Sequence, residues 1–328
     1  MKQINWGILG CGEVTEKKSG PAFNKVEGSC ILAVMRRNAE KARDYAMRHK
    51  VPKWYASADE LLENEDINAV YVATPPSSHA EYAIKAMQSG KAVYVEKPMA
   101  SDYAECEQMY AVSRKTGMPL YVAYYRRSLP YFQKVKDILS SGVLGKMLFV
   151  KVDFITPPRA EDYNISNLPW RVRPEIAGGG YFYDMACHQF DLFDWYFGKV
   201  SDVFGISLNR SGLYDAEDYV HALIQYESDL PLSGNWLFTG SEQHQTDIIK
   251  VFGSEGTLEF STFEFSPILL TTASGEESFL PSNPENIQFW FIKSMVAELR
   301  GIKPPEVNTV SAMRSNYLMD KILGKIAP

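Results

Sequence analysis

Two groupings of residues in this chain have the types and spacing for proton chemistry. The first is Lys97 in Ala92-Val93-Tyr94-Val95-Glu96-Lys97-Pro98, where four apolar or aromatic residues reading as a buried strand run into a carboxylate, an ammonium and a proline. In an open parallel sheet, that end of the strands is where ligands bind. A lysine partly desolvated at such a place gives up its proton more easily and can donate or accept one near neutral pH. Pro98 fixes the chain after it, through its locked φ or a cis peptide. The ordinary alternative for an isolated Glu-Lys-Pro is a solvated strand-end lysine. The second grouping is Asp184, His188 and Asp191, at i, i+4 and i+7, which share one face if Tyr181 to Trp195 is helical. A polar stripe toward solvent is the plain reading of such a pattern. Carboxylate, imidazole and carboxylate just after Gly178-Gly179-Gly180 suit proton transfer better. Cys187 points elsewhere, because adjacent helix residues diverge.

The elements that must carry these groups read as two domains. Ile4 to Leu9 is an apolar run stopping at Gly10-Cys11-Gly12, with a helical pattern soon after, an arrangement that offers backbone N–H groups and a favourable dipole to a pyrophosphate. The third small residue of such a fingerprint is Thr15 here, a departure expected to loosen the packing of helix on strand. A second strand pattern, Cys30 to Met35, follows at the βαβ spacing. Helices over about Ala39 to His49 and near Asp59 to Leu62, a strand Ala69 to Ala73, a helix carrying His79 through Met87 capped by Ser77 or Ser78, the Lys97 strand, a helix from about Ser101 to Lys115 and a strand Pro119 to Ala123 complete a doubly wound parallel sheet. Thr74-Pro75 and Lys97 then lie on the same edge as Gly10 and Gly12. His79 either faces that edge or bonds its own loop.

After about Tyr124 the pattern changes. A helix over Tyr131 to Ser140 leads to short strands at Lys146 to Ile155, Val200 to Leu208, Glu217 to Tyr226, Leu230 to Phe238, Asp247 to Phe252 and Thr257 to Phe260, the signature of a mainly antiparallel sheet. Thr156 to Gly180 reads mostly as loop and carries Tyr163, Trp170, Arg171 and Arg173. Helices Glu285 to Arg300 and Thr309 to Lys325, separated by Gly301-Ile302-Lys303-Pro304-Pro305, end the chain. The expected division is 1–123, a Rossmann dinucleotide-binding domain; 124–308, a substrate-binding and oligomerisation α/β domain; and 309–328, a final helix packing back on the first domain. Apolar residues on both alternating sets of the later strands (Phe149, Val150, Val152 and Phe154; Leu258, Phe260 and Phe263) suggest sheets packed face to face in a homodimer or homotetramer.

Composition narrows the function classes. A chain of 328 residues that is 45% hydrophobic exceeds what one core usually serves. A net charge of -6 with no basic run argues against nucleic acid or an anionic membrane as partner. Met1 to Ile8 enters a strand pattern without the apolar core of a signal peptide, and no run approaches spanning length. Four scattered cysteines, Cys11, Cys30, Cys106 and Cys187, fit reduced thiols and a cytoplasmic location, and scattered histidines leave no protein-built metal site expected.

Gly10-Cys11-Gly12, Ala73-Thr74-Pro75-Pro76 with His79, Glu96-Lys97-Pro98, Trp170-Arg171, the triple glycine, and Asp184 four residues before His188 together closely resemble the glucose-fructose oxidoreductase and inositol dehydrogenase (Gfo/Idh/MocA) family over nearly the whole chain. The resemblance implies a Rossmann domain followed by an α/β domain with a large open sheet, and NAD(P)-dependent oxidoreduction of a sugar, cyclitol or related polyol. It implies Lys97, Asp184 and His188 as catalytic groups. His188 suits the role of base for a hydroxyl proton, Asp184 that of orienting the ring or a substrate hydroxyl, and Lys97 that of holding the reacting oxygen. The coenzyme-binding set expected is Gly10, Cys11, Gly12, Glu13, Val14, Arg36, Arg37, Thr74, Pro75, His79, Glu96, Lys97, Trp170 and Arg171; the substrate-binding set is Lys97, Tyr163, Arg171, Asp184 and His188. NAD sites of this type end the second strand in a carboxylate, whereas this chain has Met35-Arg36-Arg37-Asn38, which favours NADP over NAD. The alternatives are a redox-assisted glycosidase that recycles its nicotinamide and a non-catalytic binding protein on the same scaffold.

Overall fold

The computed structural model describes residues 3–304, 306 and 308–326. Of the residues named above, Met1, Lys2, Pro305 and the last two of the 309–328 segment lie outside them. The chain divides into two compact units, Met1–Tyr125 with Pro284–Met313 and Arg126–Asn283 with Arg314–Pro328.

The first unit is built on six strands, β1 (Ile4–Leu9), β2 (Ser29–Met35), β3 (Lys53–Tyr55), β4 (Ala69–Val72), β5 (Ala92–Val95) and β6 (Leu120–Val122), in the order β3-β2-β1-β4-β5-β6. Every pairing is parallel. This is the doubly wound order, with its reversal beside β1. β4 and β5 are buried along their whole length, which is why both read as unbroken apolar runs in the sequence. The helices are α1 (Glu13–Lys17), α2 (Gly20–Lys25), α3 (Ala39–His49), α4 (Ala58–Leu62), α5 (His79–Gln88) and α6 (Tyr103–Thr116). Neither expected serine caps α5. A 3-10 turn, Pro76–Ser78, precedes that helix, and Ser78 Oγ instead donates to the Pro75 carbonyl and lies within hydrogen-bond distance of Thr74 Oγ1.

The second unit holds α7 (Pro130–Ser140), α8 (Pro174–Ala177), α9 (Gly180–Phe197) and eight strands: β7 (Met147–Ile155), β8 (Val200–Leu208), β9 (Tyr219–Tyr226), β10 (Pro231–Leu237), β11 (Thr246–Gly253), β12 (Gly256–Phe260), β13 (Ile268–Thr272) and β14 (Gly275–Phe279). Their order is β14-β13-β12-β11-β7-β10-β9-β8. All pairs are antiparallel except β7 with β10. β3, β13 and β14 are absent from the sequence reading; β14 is short and almost wholly exposed, so it lacks the apolar alternation that marks a half-buried strand. Phe182 and Phe190 of α9 pack on Trp236 of β10 with ring centroids 5.4 and 5.5 Å apart, closing the core on one face of the sheet. Val150, Val152, Phe154, Leu258 and Phe260 belong to that covered face. The opposite face shows Phe204, Ile206, Leu208, Leu223 and Ile248, with Phe149 stacked on Phe252 at 5.8 Å. Only Phe149 of the strand residues first named for association is on it.

The last helices, α10 (Phe289–Leu299) and α11 (Thr309–Ile322), are placed differently from the 124–308 and 309–328 division. Ile292, Met295, Val296 and Leu299, at i, i+3, i+4 and i+7, join the core of the first unit beside Trp6 and Phe23. Each such buried side chain contributes about 1.5–3 kcal/mol, so α10 belongs with the first sheet. α11 is shared, with Thr309–Met313 in the first unit and the residues from Arg314 in the second. Periodicity reveals that a helix has a buried face but not what covers it. No helix among the described residues is long and apolar enough to cross a membrane.

Candidate active site

In the first unit, the turn after β1 is shaped by its glycines. Gly10 has φ +90°, and a Cβ there would stand 2.7 Å from Thr74 Cγ2 and 2.9 Å from the Thr74 nitrogen. Only glycine permits this approach of the loops after β1 and β4. Gly12, by contrast, would place a Cβ in open space, with Gly10 O the nearest atom at 3.9 Å. Beyond it begin Glu13 and Val14, whose N–H groups precede any intrahelical acceptor. Open space, a glycine and first-turn N–H groups fit a dinucleotide pyrophosphate. Thr15 does not loosen the packing as expected. It is fully buried, its Oγ1 donates to the Gly12 carbonyl at 2.7 Å, and the close approach falls at Gly20, where a Cβ would be 2.1 Å from Thr15 O.

Arg36 stands at the end of β2 with Nη1 3.4 Å from the Cys11 carbonyl, so its guanidinium lies beside the glycine turn. Arg37 is exposed and Asn38 caps α3 by accepting from the Lys41 N–H at 2.9 Å. Burial pushes the Cys11 thiol up to about 11, which keeps it a neutral packing group.

At the ends of β4 and β5 two expected coenzyme residues prove to be internal. His79 has no exposed surface, and its ring bridges two loops, Nδ1 3.0 Å from the Pro98 carbonyl and Nε2 2.7 Å from the Thr74 carbonyl. Burial lowers its pKa against the pull of those carbonyls. Set between these two carbonyls, the buried imidazole can donate to Thr74 or to Pro98 and so packs the Thr74-Pro75 loop beside Pro98. The Glu96 carboxylate is likewise used: Oε1 accepts from Tyr71 Oη at 2.5 Å and Gln288 Nε2 at 2.9 Å, and Oε2 from the Lys97 N–H at 3.2 Å. Lys97 itself is half-buried, before a cis peptide to Pro98. A groove of about 810 Å³ lined by Asp59, Lys85 and Lys91 lies at the amino ends of β4 and β5. That is the wrong edge of a parallel sheet for ligand chemistry, and Lys91 is already bonded to the Asn64 and Ile67 carbonyls.

In the second unit, α9 carries Tyr181, Asp184, His188 and Asp191 along one stripe, as helical spacing requires. The helix begins at Gly180, with φ +56° and a Cβ position 2.5 Å from Ala216 Cβ, which accounts for the last glycine of the triplet. Arg171 donates from Nε to Asp184 Oδ2 at 3.2 Å and lies over the Trp170 ring at 4.5 Å, so three of the expected residues meet. Asp184 and His188 are 9% and 3% exposed, placing both in the buried stripe. Phe263 stands edge-on to the His188 ring at 6.1 Å. Asp191 is an anchor: Arg127 grips it through Nε and Nη2 at 2.8 and 2.7 Å. Burial pushes the Asp191 carboxyl up to about 6 while Arg127 pulls it down, so it remains charged at neutral pH. Tyr163 is 63% exposed, and Arg173 pairs with Glu175 at 2.8 Å outside this stripe.

Several supports of this stripe were not named from the sequence. Asp162, fully buried, accepts from Tyr181 Oη at 2.7 Å. Gln189 joins Trp236 Nε1 at 2.6 Å to Thr262 Oγ1 at 3.1 Å. Asp247 accepts the N–H groups of Thr262, Phe263 and Glu264 at 2.5–3.0 Å, fixing the turn that presents Phe263 to His188. An aspartate opening an apolar strand run gives no local signal of that role.

Comparison with known proteins bears on the whole arrangement. The oxidoreductase family with an NAD-binding Rossmann fold matches residues 4–124, and the Gfo/Idh/MocA C-terminal domain matches residues 132–259. The chain is 37% identical to an oxidoreductase of Formosa agariphila over 322 residues, 98% of this chain and 99% of that protein. It is 26% identical over 293 residues to trans-1,2-dihydrobenzene-1,2-diol dehydrogenase of Xenopus laevis, covering 87% and 83% of the two chains. The crystal structure of aldose-aldose oxidoreductase from Caulobacter crescentus, complexed with glycerol, shares the fold with a TM-score of 0.86 at 22% identity, over 98% of this chain and 97% of that one.

Proposed function

The chain belongs to the Gfo/Idh/MocA family of oxidoreductases with an NAD(P)-binding Rossmann domain, and from that membership we propose that it transfers a hydride between nicotinamide and a secondary alcohol or ketone of a sugar, cyclitol or related polyol. The observation that carries this reading is the α9 stripe, an imidazole and a carboxylate one turn apart with Arg171 bonded to the carboxylate. When bound, the nicotinamide supplies the hydride acceptor or donor. His188 takes the hydroxyl proton in its neutral form, or returns it when a carbonyl is reduced. Asp184, its Oδ2 fixed by Arg171, accepts a hydrogen bond from a substrate hydroxyl. Lys97 donates to the reacting oxygen and stabilises the charge that develops on it. Trp170 and Tyr163 add aromatic faces suited to a hydroxylated ring. The Xenopus laevis relative is named for a cyclic diol, a ring substrate of this kind.

Gly10, Cys11, Gly12, Glu13 and Val14 would hold the pyrophosphate, with Thr74 and Pro75 beside them. Arg36, with no carboxylate at the end of β2, favours the 2′-phosphate of NADP. The uncovered apolar face of the second sheet supports a homodimer through a second copy of that face, or a dimer of such dimers. A monomer by light scattering at about micromolar concentration contradicts this assembly.

The test of the reaction is nicotinamide absorbance followed against a panel of sugars, cyclitols and their keto forms. Net oxidation or reduction of the coenzyme coupled one-to-one to a substrate supports the proposal. Substrate cleavage with no net change in nicotinamide overturns it in favour of a redox-assisted glycosidase.

A further inference from the structure

We propose that Gln288 is a positioning residue for Lys97, acting through the buried carboxylate of Glu96. The proposal rests on the reading of Lys97 as the group that engages the reacting oxygen.

Glu96 and Lys97 are adjacent in sequence at the end of β5, and their fates differ. The carboxylate turns into the core, 7% exposed, among Tyr71 and Tyr94, which are fully buried, and Gln288, which is 1% exposed. A carboxylate in such a place needs donors, because burying an unpaired charge is costly. Glu96 has three: Tyr71 Oη at 2.5 Å, Gln288 Nε2 at 2.9 Å and the Lys97 N–H at 3.2 Å. The third is the backbone of Lys97 itself. Whatever fixes the carboxylate therefore fixes the peptide from which the lysine side chain starts.

The orientation of Gln288 is set by a further bond. Its amide oxygen accepts from Tyr94 Oη at 2.8 Å. A carboxylate can only accept, so the amide nitrogen must face Glu96 and the amide oxygen must face Tyr94. Donation thus runs from Tyr94 through Gln288 to the Glu96 carboxylate, where the Lys97 N–H donates from the other side. Tyr71 and Tyr94 lie with ring centroids 4.9 Å apart and nearly parallel, which fixes both hydroxyls relative to the sheet. Burial, with the Glu96 charge second, raises both phenols well above their ordinary value, so they remain donors. Gln288 precedes α10, the helix whose apolar stripe joins the core of this unit, so its backbone is held independently of Lys97. Its link to Glu96 spans 192 positions of sequence.

A residue that merely filled space here would affect folding alone. A positioning residue changes the environment of the Lys97 ammonium in protein that is still folded. The experiment is trace acylation of intact protein with acetic anhydride, reading Lys97 by mass spectrometry with Lys53 as internal reference, in wild type, Gln288→Leu and Tyr94→Phe. The second variant keeps the ring and removes only the hydroxyl that orients Gln288, and it carries the test if Gln288→Leu does not fold. The loosened lysine should react faster by about threefold or more relative to Lys53. Turnover on whichever sugar the wild type uses should fall by about ten- to a hundredfold, with KM and coenzyme affinity within about twofold. If Lys97 acylation in a folded variant stays at the wild-type rate, the proposal is overturned whatever happens to turnover. If acylation rises but no form of the protein oxidises or reduces any sugar, the positioning stands and the proposed reaction falls.

Discussion

Arg171 Nε and Asp184 Oδ2 are 3.2 Å apart, joining a loop guanidinium stacked on Trp170 to the middle of the α9 stripe. In the proposed mechanism this bond aims the carboxylate that receives a substrate hydroxyl. Arg171→Ala should lower kcat/KM by about ten- to a hundredfold, the equivalent of about 1.5–3 kcal/mol for a charge-assisted bond, without lowering the melting temperature much. Arg171→Lys should recover little, since an ammonium neither stacks on Trp170 nor presents the planar fork. Steady-state kinetics on the two variants check this.

The two glycines after β1 should fail in different ways. Gly10→Ala combines φ +90° with a contact 2.7 Å from Thr74 Cγ2, so the folded state loses about 1–3 kcal/mol or the loops separate. Gly12→Ala meets nothing nearer than 3.9 Å and should melt like wild type, while its methyl occupies the space in front of the turn and weakens coenzyme binding. Melting curves and coenzyme fluorescence titrations on both separate the effects.

On the proposed reading, Arg36, close to the Cys11 carbonyl, sets the coenzyme preference. Wild type should bind NADPH more tightly than NADH. Arg36→Asp should shift the ratio toward NADH by about tenfold or more, since a carboxylate adds repulsion where a charge-assisted bond is lost. Equal or tighter NADH binding by wild type would remove the NADP preference.

What the sequence disclosed here is what local periodicity carries. β4 and β5 are legible because strands buried on both faces must be apolar throughout, and Asp184 with His188 because a helix puts i and i+4 on one face. The glycine turn is legible because few backbones need φ > 0 beside open space. Partners far apart in sequence are not disclosed this way. Gln288 reads as part of an ordinary helix, Asp247 as the first residue of a strand, and nothing near His79 says that its ring is buried between two carbonyls. The Glu96 side chain is buried in the core while Lys97 is half-buried, and a strand ending in two charges gives no sign of which one is taken inside.

Helix α1, after the β1 turn, has a pH-dependent brace. Glu16 accepts from Arg48 at 2.7 and 2.9 Å and lies 2.6 Å from His49 Nε2, and the Arg48 guanidinium, with His49, holds its carboxyl down from 4.5 to about 2. A carboxyl depressed in the folded state stabilises above its unfolded value, and that contribution is lost as pH falls from about 4.5 through about 2. Arg48 is about half exposed and Glu16 about a third, so solvent screening keeps the contribution small. Glu16→Gln should therefore melt slightly below wild type at neutral pH and low salt. The gap should narrow as pH falls through that range, and with added salt. A gap unchanged at acid pH would contradict the assignment.

Hydride transfer, on the proposed reading, needs both Lys97 and His188. Turnover of Lys97→Met and His188→Ala, measured beside coenzyme affinity on the same preparations, is the decisive test. Each variant should lose about two to four orders of magnitude in turnover, the range for a missing acid/base or charge-stabilising group, while binding coenzyme within about twofold of wild type. Near-normal turnover by either folded variant, on a substrate the wild type converts, would contradict the account.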